Sequence, residues 1–513
     1  MKKTDFLMTK IIATLGPATD SFEKIKTLIE AGARVFRVNF SHGSFEDYDS
    51  LIENIRKASA ETGEFVGILG DLSGPKIRTG KVIPDGVLLE KDQEIVFVKK
   101  DVLGGSEGFR NVFSTTYPQF IEEVKEGEKI LLDDGNIELK CVKKLGAGDN
   151  SQLVCKVVEG NLLTTAKGIN LPDSELSLPS MTEKDYKCLD YAISRSLDYL
   201  ALSFVRTGED VKLLKKEMEK RHARPAGLDL TSGDLGFSTY FDDDYIPIIS
   251  KIEKPQAIDN LEEIIEESDG IMVARGDLGV EMDLAEVALL QKKIINMCKT
   301  HMKPVIVATQ MLQSMIESSV PTRAEVSDVA NAIMDGADAV MLSGETAVGK
   351  HPIQAVQMME RVAKKTNNYQ VENLFFSGQM EPYQGLLRRK AAMARGVALM
   401  AKEMQAKFII TWLHSGGSSV FLSQQKLNIP IIACGENKKR LQQLSVLYSI
   451  MPLYMDQPKS GSKFISIVNS MLLKNGWAQM GDPIIIVASS PITKRGITNR
   501  VILHYIGEKV MEE

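Results

Sequence analysis

Short apolar runs alternate with amphipathic segments along most of this chain, and that alternation limits the fold more than any other feature. Eight runs read as buried strands: KIIATLGP, RVFRVNFSH, FVGILGDLSG, YLALSFV, IPIISKIE, GIMVARGDLG, PVIVATQ and AVMLSGE. Seven of the eight precede a stretch of helical period, such as SFEKIKTLIEAGA after the first and IQAVQMMERVAKKT after the last. Several helices open on capping pairs: Thr182 with Asp185, Thr207 with Asp210, and Thr322 with Glu325. Eight βα units are what a closed (β/α)8 TIM barrel requires, with an open doubly wound sheet as the rival. The barrel is expected to take residues 1–75 and 178–366.

The third run breaks the pattern. Residues 76–177 lack a helix period and read as short β runs with turns: VLLEKDQEIVFVKK, EGEKILLDDGNIELKCVKKL and NSQLVCKVVEG. This predicts an inserted all-β domain, a β-barrel lid, entered through DLSGPKIRTG and left through LPDSELSLPSMTEKD. A second insert, RPAGLDLTSGDLGFSTYFDDD at about 222–244, has the Gly, Asp and Ser content of a surface loop. From 367 to 513 the period changes again. The helix LLRRKAAMARGVALMAKEMQA leads into the strands FIITWL, IPIIACG and IIIVAS, which predicts a separate α/β domain with an open sheet.

Composition narrows the function classes. The 513 residues are 43% hydrophobic and 25% charged, with a net charge of −6. Nucleic-acid binding needs a basic face to displace phosphate counterions, so that class is set aside. The five cysteines stand singly, without CxxC spacing, which fits a reducing cytoplasm better than a disulfide framework or a zinc site. The N-terminal MKKTDFLMTK lacks the apolar core of a signal peptide, and no run approaches the ~18–20 apolar residues of a membrane span. A cytoplasmic protein with no nucleic-acid or membrane partner is expected.

In a (β/α)8 barrel the chemistry sits at the C-terminal ends of the strands. Those ends carry Arg37, Asn39, Ser41 and His42 after the second strand, and Asp71 and Arg78 after the third. The fifth supplies Lys251 and Glu253, the sixth Arg275 and Asp277, the seventh Thr309 and Gln310, the eighth Ser343 and Glu345. Any one of these is an ordinary turn residue; the same bias at so many strand ends is not. Lys251 and Glu253 lie two apart on a strand and so face the same side. Glu253 with Asp277 makes a two-carboxylate cup of the kind that suits Mg²⁺. Beside such an ion, Lys251 is placed to stabilise charge on a phosphoryl group or an enolate. Schiff-base chemistry at Lys251 is the alternative, which an adjacent metal disfavours. GETAVGKH (344–351) approaches the phosphate-loop pattern, but His351 stands where the Mg²⁺-binding hydroxyl belongs, so a helix-entry turn is the better reading.

RVNFSHG, GPKIRTG, KGINLP, ISKIEKP, MVARGDLGVE, VATQMLQSM, PTRAEVSDVANA and ADAVMLSGETAVGKHP resemble the pyruvate kinase family in order and spacing. The resemblance covers the barrel and its insert nearly end to end, and the C-terminal domain more weakly. It implies transfer of a phosphoryl group from phosphoenolpyruvate to ADP, giving pyruvate and ATP, as an ATP:pyruvate phosphotransferase of glycolysis. By motif position, Lys251 bridges the transferring phosphoryl and the enolate. Glu253 and Asp277 hold Mg²⁺, with Mn²⁺ as an alternative, and Arg37 and Arg78 hold phosphates. Backbone at Ala274, Arg275 and Gly276, together with Thr309, receives the substrate carboxylate. Thr309 delivers the enolate proton, with Ser343 and Glu345 in a relay. Asn39, Ser41, His42, Arg78 and Lys167 take the nucleotide side, and the lid excludes water. A homotetramer is also implied.

Two departures stand out. The family K⁺ site maps to Asn39, Ser41, Asp71 and Leu72, but where many members carry Glu this chain has Lys76. An ammonium there can supply the charge of the ion, so activity without K⁺ is expected. In the C-terminal domain the family's sugar-phosphate loop reads HSGGSS, with Gly417 in place of an Arg; the last loop, SSPITKRGITN, keeps Gly496, Thr498 and Asn499. Losing that guanidinium removes a bidentate phosphate partner. The competing readings are a catalytically silent binding protein on the same fold and a metal-dependent carbon–carbon lyase.

Overall fold

A computed structural model describes residues 6–174, 176–221, 245–370, 385–414, 417–493 and 498–509. The eight expected strands are Lys10–Thr14, Ala33–Asn39, Gly67–Leu72, Tyr199–Leu202, Ile248–Ile252, Gly270–Ala274, Val305–Ala308 and Ala339–Leu342. They run parallel in chain order, and the last pairs with the first through Lys10 opposite Ala339, so the barrel is closed and the open-sheet rival falls. Nearly every strand residue is buried, as strands sandwiched between side-chain layers and helices must be. Close packing reaches the backbone: a Cβ on Gly70 would meet Phe40 and Leu197 at 2.8 Å. The three predicted capping pairs at Thr182, Thr207 and Thr322 are all formed as reciprocal boxes.

The chain leaves the barrel at Gly74, whose φ of +65° and approach to Phe204 leave no room for a side chain. The lid is a six-stranded sheet, with edges at Ile169–Asn170 and Val112–Phe113, plus a two-stranded ribbon of Val87–Leu88 and Leu162–Leu163. Its two-residue edge strands do not pair with each other; instead the entry arm fills the gap, Arg78 bridging to Gly168 and Thr79 to Thr115. Phe97, Phe113, Phe120 and Ile77 belong to a core of the lid's own. Cys141 and Cys155, isolated in sequence, are register partners on neighbouring strands there, buried and unbonded.

The C-terminal domain has the expected open sheet, ordered Ile450–Tyr454, Ile431–Gly435, Phe408–Trp412, Pro483–Ala488 and an antiparallel Arg500–Tyr505. It packs under the barrel, against the N-terminal ends of the strands. Lys10 Nζ donates to Ile450 O at 2.7 Å, and Asp338 pairs with Lys426 at 2.6 Å. One apolar core runs from the barrel wall into this domain, while its far face holds a second core around Phe408, Trp412 and Phe464. The helix Pro352–Gln370 carries through the expected domain boundary at 367. The insert at 222–244 and Gly496 lie outside the described residues. Ser418 and Thr498, from the two C-terminal loops, share a hydroxyl hydrogen bond of 2.6 Å.

With the floor covered and the lid above, the open face of the barrel is the end where the strands finish.

Candidate active site

The second, third, fourth and fifth strands end on one buried charge cluster. Asp71, 1% exposed, accepts from Arg37 Nε at 2.6 Å and lies 3.4 Å from Lys251 Nζ. Lys251 in turn reaches Glu253 Oε1 at 2.9 Å and Ser203 Oγ at 2.8 Å. The shared face expected for Lys251 and Glu253 is thus realised. Glu253 Oε2 accepts the backbone N–H of Phe204 at 2.8 Å, and Phe204 sits at φ 55°, a strained value for a bulky residue. Ser203 was not anticipated, because serine at a strand end is an ordinary turn residue; only the convergence of strands reveals it.

Burial and charge compete in this cluster. Burial alone would raise the Asp71 carboxyl, but Lys251 and Arg37 outweigh it and hold that group below its usual range. Burial would likewise strip the proton from Lys251, yet Asp71 and Glu253 keep its pKa above the ordinary lysine value. Glu253 goes the other way: burial first, then the nearby charge of Asp277, push its carboxyl up against the opposing pull of Lys251. Two neighbouring carboxylates that resist sharing one site form an arrangement a divalent cation relieves. Asp277, half-buried in the first turn of the helix Arg275–Glu281, makes no hydrogen bond or ion pair among the described residues.

The sixth and seventh strands meet through Thr309. Its hydroxyl accepts the Gly276 N–H at 2.6 Å and donates to Ala308 O at 2.6 Å. Thr309 and Gln310 both have left-handed backbone, at φ 68° and 55°, and for a β-branched residue that is a true outlier. The strain is held from behind. Arg275 turns away from the barrel mouth, donating to Thr309 O at 3.1 Å and pairing with Asp328 at 2.7 Å.

The remaining expected residues divide. Asn39 Oδ1 accepts the Ser41 N–H at 3.1 Å, Ser41 Oγ bonds Ser73 Oγ at 3.1 Å, His42 is exposed, and Leu72 is fully buried. Arg78 is not brought to the cluster: its guanidinium donates to Ala166 O of the lid at 3.0 Å. Lys167 pairs with Asp133 at 2.7 Å within the lid, and exposed Lys76 reaches over Gly168. No hydrogen bond joins Thr309 to Ser343 or Glu345 among the described residues. Glu345 is 1% exposed, and its two oxygens accept the N–H groups of Ser343 and Leu312, at 2.7 and 3.0 Å. It braces two loops rather than pointing a free oxygen at Thr309. The phosphate-loop decoy is excluded as well, since Lys350 extends into solvent to pair with Glu317.

The family described as pyruvate kinase, barrel domain, matches residues 6–226 and 240–356, and pyruvate kinase, alpha/beta domain, matches 391–504. A pyruvate kinase of Mycobacterium intracellulare is 40% identical over 500 residues, covering 97% of this chain and 98% of its own length. One from Geobacillus stearothermophilus is 36% identical over 98% of this chain and 80% of its own. The crystal structure of a pyruvate kinase from Cryptosporidium parvum superposes with a TM-score of 0.84 at 31% identity, covering 98% of this chain and 97% of that one.

Proposed function

The chain belongs to the pyruvate kinase family, and on that premise we propose how its own residues carry the reaction. It transfers a phosphoryl group from phosphoenolpyruvate to ADP, giving pyruvate and ATP. The P–O bond to the enol oxygen breaks, a bond to an ADP β-phosphate oxygen forms, and the enolate left behind takes a proton at carbon. The observation that carries the residue assignment is Lys251, buried between Asp71 and Glu253 yet kept charged. A lysine whose pKa is raised by two carboxylates is suited to stabilising transferring phosphoryl and enolate charge and is a poor imine nucleophile, which disfavours the lyase reading.

Glu253 and Asp277 fit Mg²⁺ or Mn²⁺: both are oxygen donors, one is destabilised by the other, and Asp277 has no hydrogen-bond or ion-pair partner among the described residues. The ion supplies Lewis-acid neutralisation of phosphoryl charge. Arg37 orients the phosphate from the Asp71 side. The backbone at Ala274, Arg275 and Gly276 receives the carboxylate, with the strained Thr309 hydroxyl beside it to pass a proton, through water, to the enolate carbon. Ser343 and Glu345 hold the loops that position Thr309. Asn39, Ser41, His42 and Lys167 face the nucleotide, and Arg78 joins them when the lid closes and its bond to Ala166 gives way.

Lys76 lines a cavity of about 400 Å³ that Asp277 also borders. It takes the place of the family's K⁺. The working form is a cytoplasmic homotetramer; in the described residues no helix is long and apolar enough to cross a membrane. The test is pyruvate formation from phosphoenolpyruvate and ADP, with Mg²⁺, in an organic-cation buffer free of Na⁺ and K⁺. Turnover that needs Mg²⁺ and rises less than about tenfold on adding K⁺ supports the reading. Tenfold or greater activation overturns the role of Lys76, and no Mg²⁺-dependent turnover favours a silent binding protein.

A further inference from the structure

Glu281, the last residue of the helix that carries Asp277, has a side chain wholly removed from solvent. Its Oε1 accepts from Asn170 Nδ2 at 2.7 Å and also pairs with Lys254 Nζ. The three residues come from two domains, one from the lid and two from different βα loops of the barrel. Asn170 lies on the lid's edge strand, paired with Leu131. Lys254 directly follows Glu253 at the end of the fifth barrel strand. Glu281 stands one helical turn below Asp277, on the same face. Among the described residues, two side-chain hydrogen bonds join the lid, residues 76–177, to the barrel: Asn170 to Glu281, and Arg206 Nη1 to Leu176 O at 2.9 Å. The nearby turn at Gly135 approaches Val280, so the lid touches the barrel along this same line.

We propose that Asn170, Glu281 and Lys254 form a latch that fixes the lid's resting position and, through it, the two carboxylates at Glu253 and Asp277. They are positioning residues, and the proposal rests on the pyruvate kinase reading. The physical reason is the sharing of one buried carboxylate oxygen. A buried carboxylate bonded to both an amide and an ammonium is directional and costly to leave half-paired. When the lid swings, Asn170 pulls on Glu281, and Glu281 is coupled rigidly to Asp277 through its helix and to Glu253 through Lys254. Behind the latch, the cavity bordered by Leu171, Phe204 and Gln256 gives the hinge room to move.

Asn170→Asp sets a second carboxylate against Glu281 and should push the lid away. The Mg²⁺ activation midpoint and the KM for ADP should each rise about fivefold or more, with kcat changed less than about threefold. Amide exchange at Lys76 and Thr79 in the hinge should quicken, while the global melting temperature stays within about 2 °C of the parent. Combining Asn170→Asp with Glu281→Gln restores one carboxylate, one amide and one ammonium, and should bring the constants back to within about twofold. Asn170→Ala, which removes the bond without adding charge, should fall between. The proposal is overturned if Asn170→Asp keeps the parent's Mg²⁺ midpoint and hinge exchange, or if the double variant is no better than the single. It is equally overturned if the kinetic loss only tracks a fall in melting temperature. An inactive parent enzyme would instead count against the pyruvate kinase reading, with hinge exchange still testing the latch.

Discussion

The two ends of the barrel bury lysines in opposite ways. At the mouth, Lys251 sits between Asp71 and Glu253, and its pKa lies above the ordinary lysine value. At the floor, Lys10 is more deeply buried and donates to two carbonyls, Leu7 O at 2.8 Å and Ile450 O at 2.7 Å. Carbonyl dipoles do not replace a carboxylate: burial, with the repulsion of Arg34, brings Lys10 down to about 7. Lys426 has a carboxylate partner in Asp338 and is still lowered by burial. Many of the floor's polar groups join the two domains. Asp338 alone accepts from Gln424 Nε2 at 2.8 Å, Tyr448 N at 3.2 Å and Val305 N at 2.9 Å, besides Lys426. Among the described residues the mouth leaves Asp277 without a hydrogen bond or ion pair, and it keeps strained backbone at Phe204 and Thr309. Burial of charge alone therefore says little about function; charge left incompletely matched says more.

The comparison breaks if the floor turns out to be catalytic or the mouth merely structural. Asp338→Ala should have the largest effect on stability. It strands Lys426 and three donors, at a cost of about 3–5 kcal/mol by denaturant titration, with kcat per folded molecule unchanged. A fall in kcat at full folding would erase the distinction. Lys10→Met is next. A lysine whose folded value is about 7, against an ordinary 10.5, binds fewer protons folded than unfolded across that window. Its contribution to stability therefore rises with pH from about 7 to 10.5, by roughly 3–5 kcal/mol, and is at its least favourable below 7. Replacing Lys10 with Met should flatten this part of the profile and stabilise the protein most at low pH. An unchanged slope would mean that Lys10 stays charged, as Lys251 does.

Local pattern made the barrel legible. Periodicity located all eight strands, the capping pairs were formed as written, and the spacing of Lys251 and Glu253 placed both on one face. Contacts between segments distant in the chain were not legible. Ser203 joins the cluster only because the fourth strand closes beside the third, and Asn170 meets Glu281 across 111 positions. Cys141 and Cys155 look unrelated until strand register sets them opposite. The direction of a side chain was equally hidden. Nothing in GPKIRTG says that Arg78 bonds a lid carbonyl here, or in SGET that Glu345 is consumed by two backbone N–H groups.

The central claim is that Lys251 is kept charged in order to stabilise phosphoryl and enolate charge. It is tested most directly by the Mg²⁺-dependent rate of pyruvate formation in Lys251→Met, measured beside the parent at saturating phosphoenolpyruvate and ADP. The expected loss is at least about 10³-fold in kcat, corresponding to roughly 4 kcal/mol of transition-state stabilisation, in a protein whose circular dichroism matches the parent. A folded Lys251→Met enzyme that keeps more than about a tenth of the parent rate would contradict it.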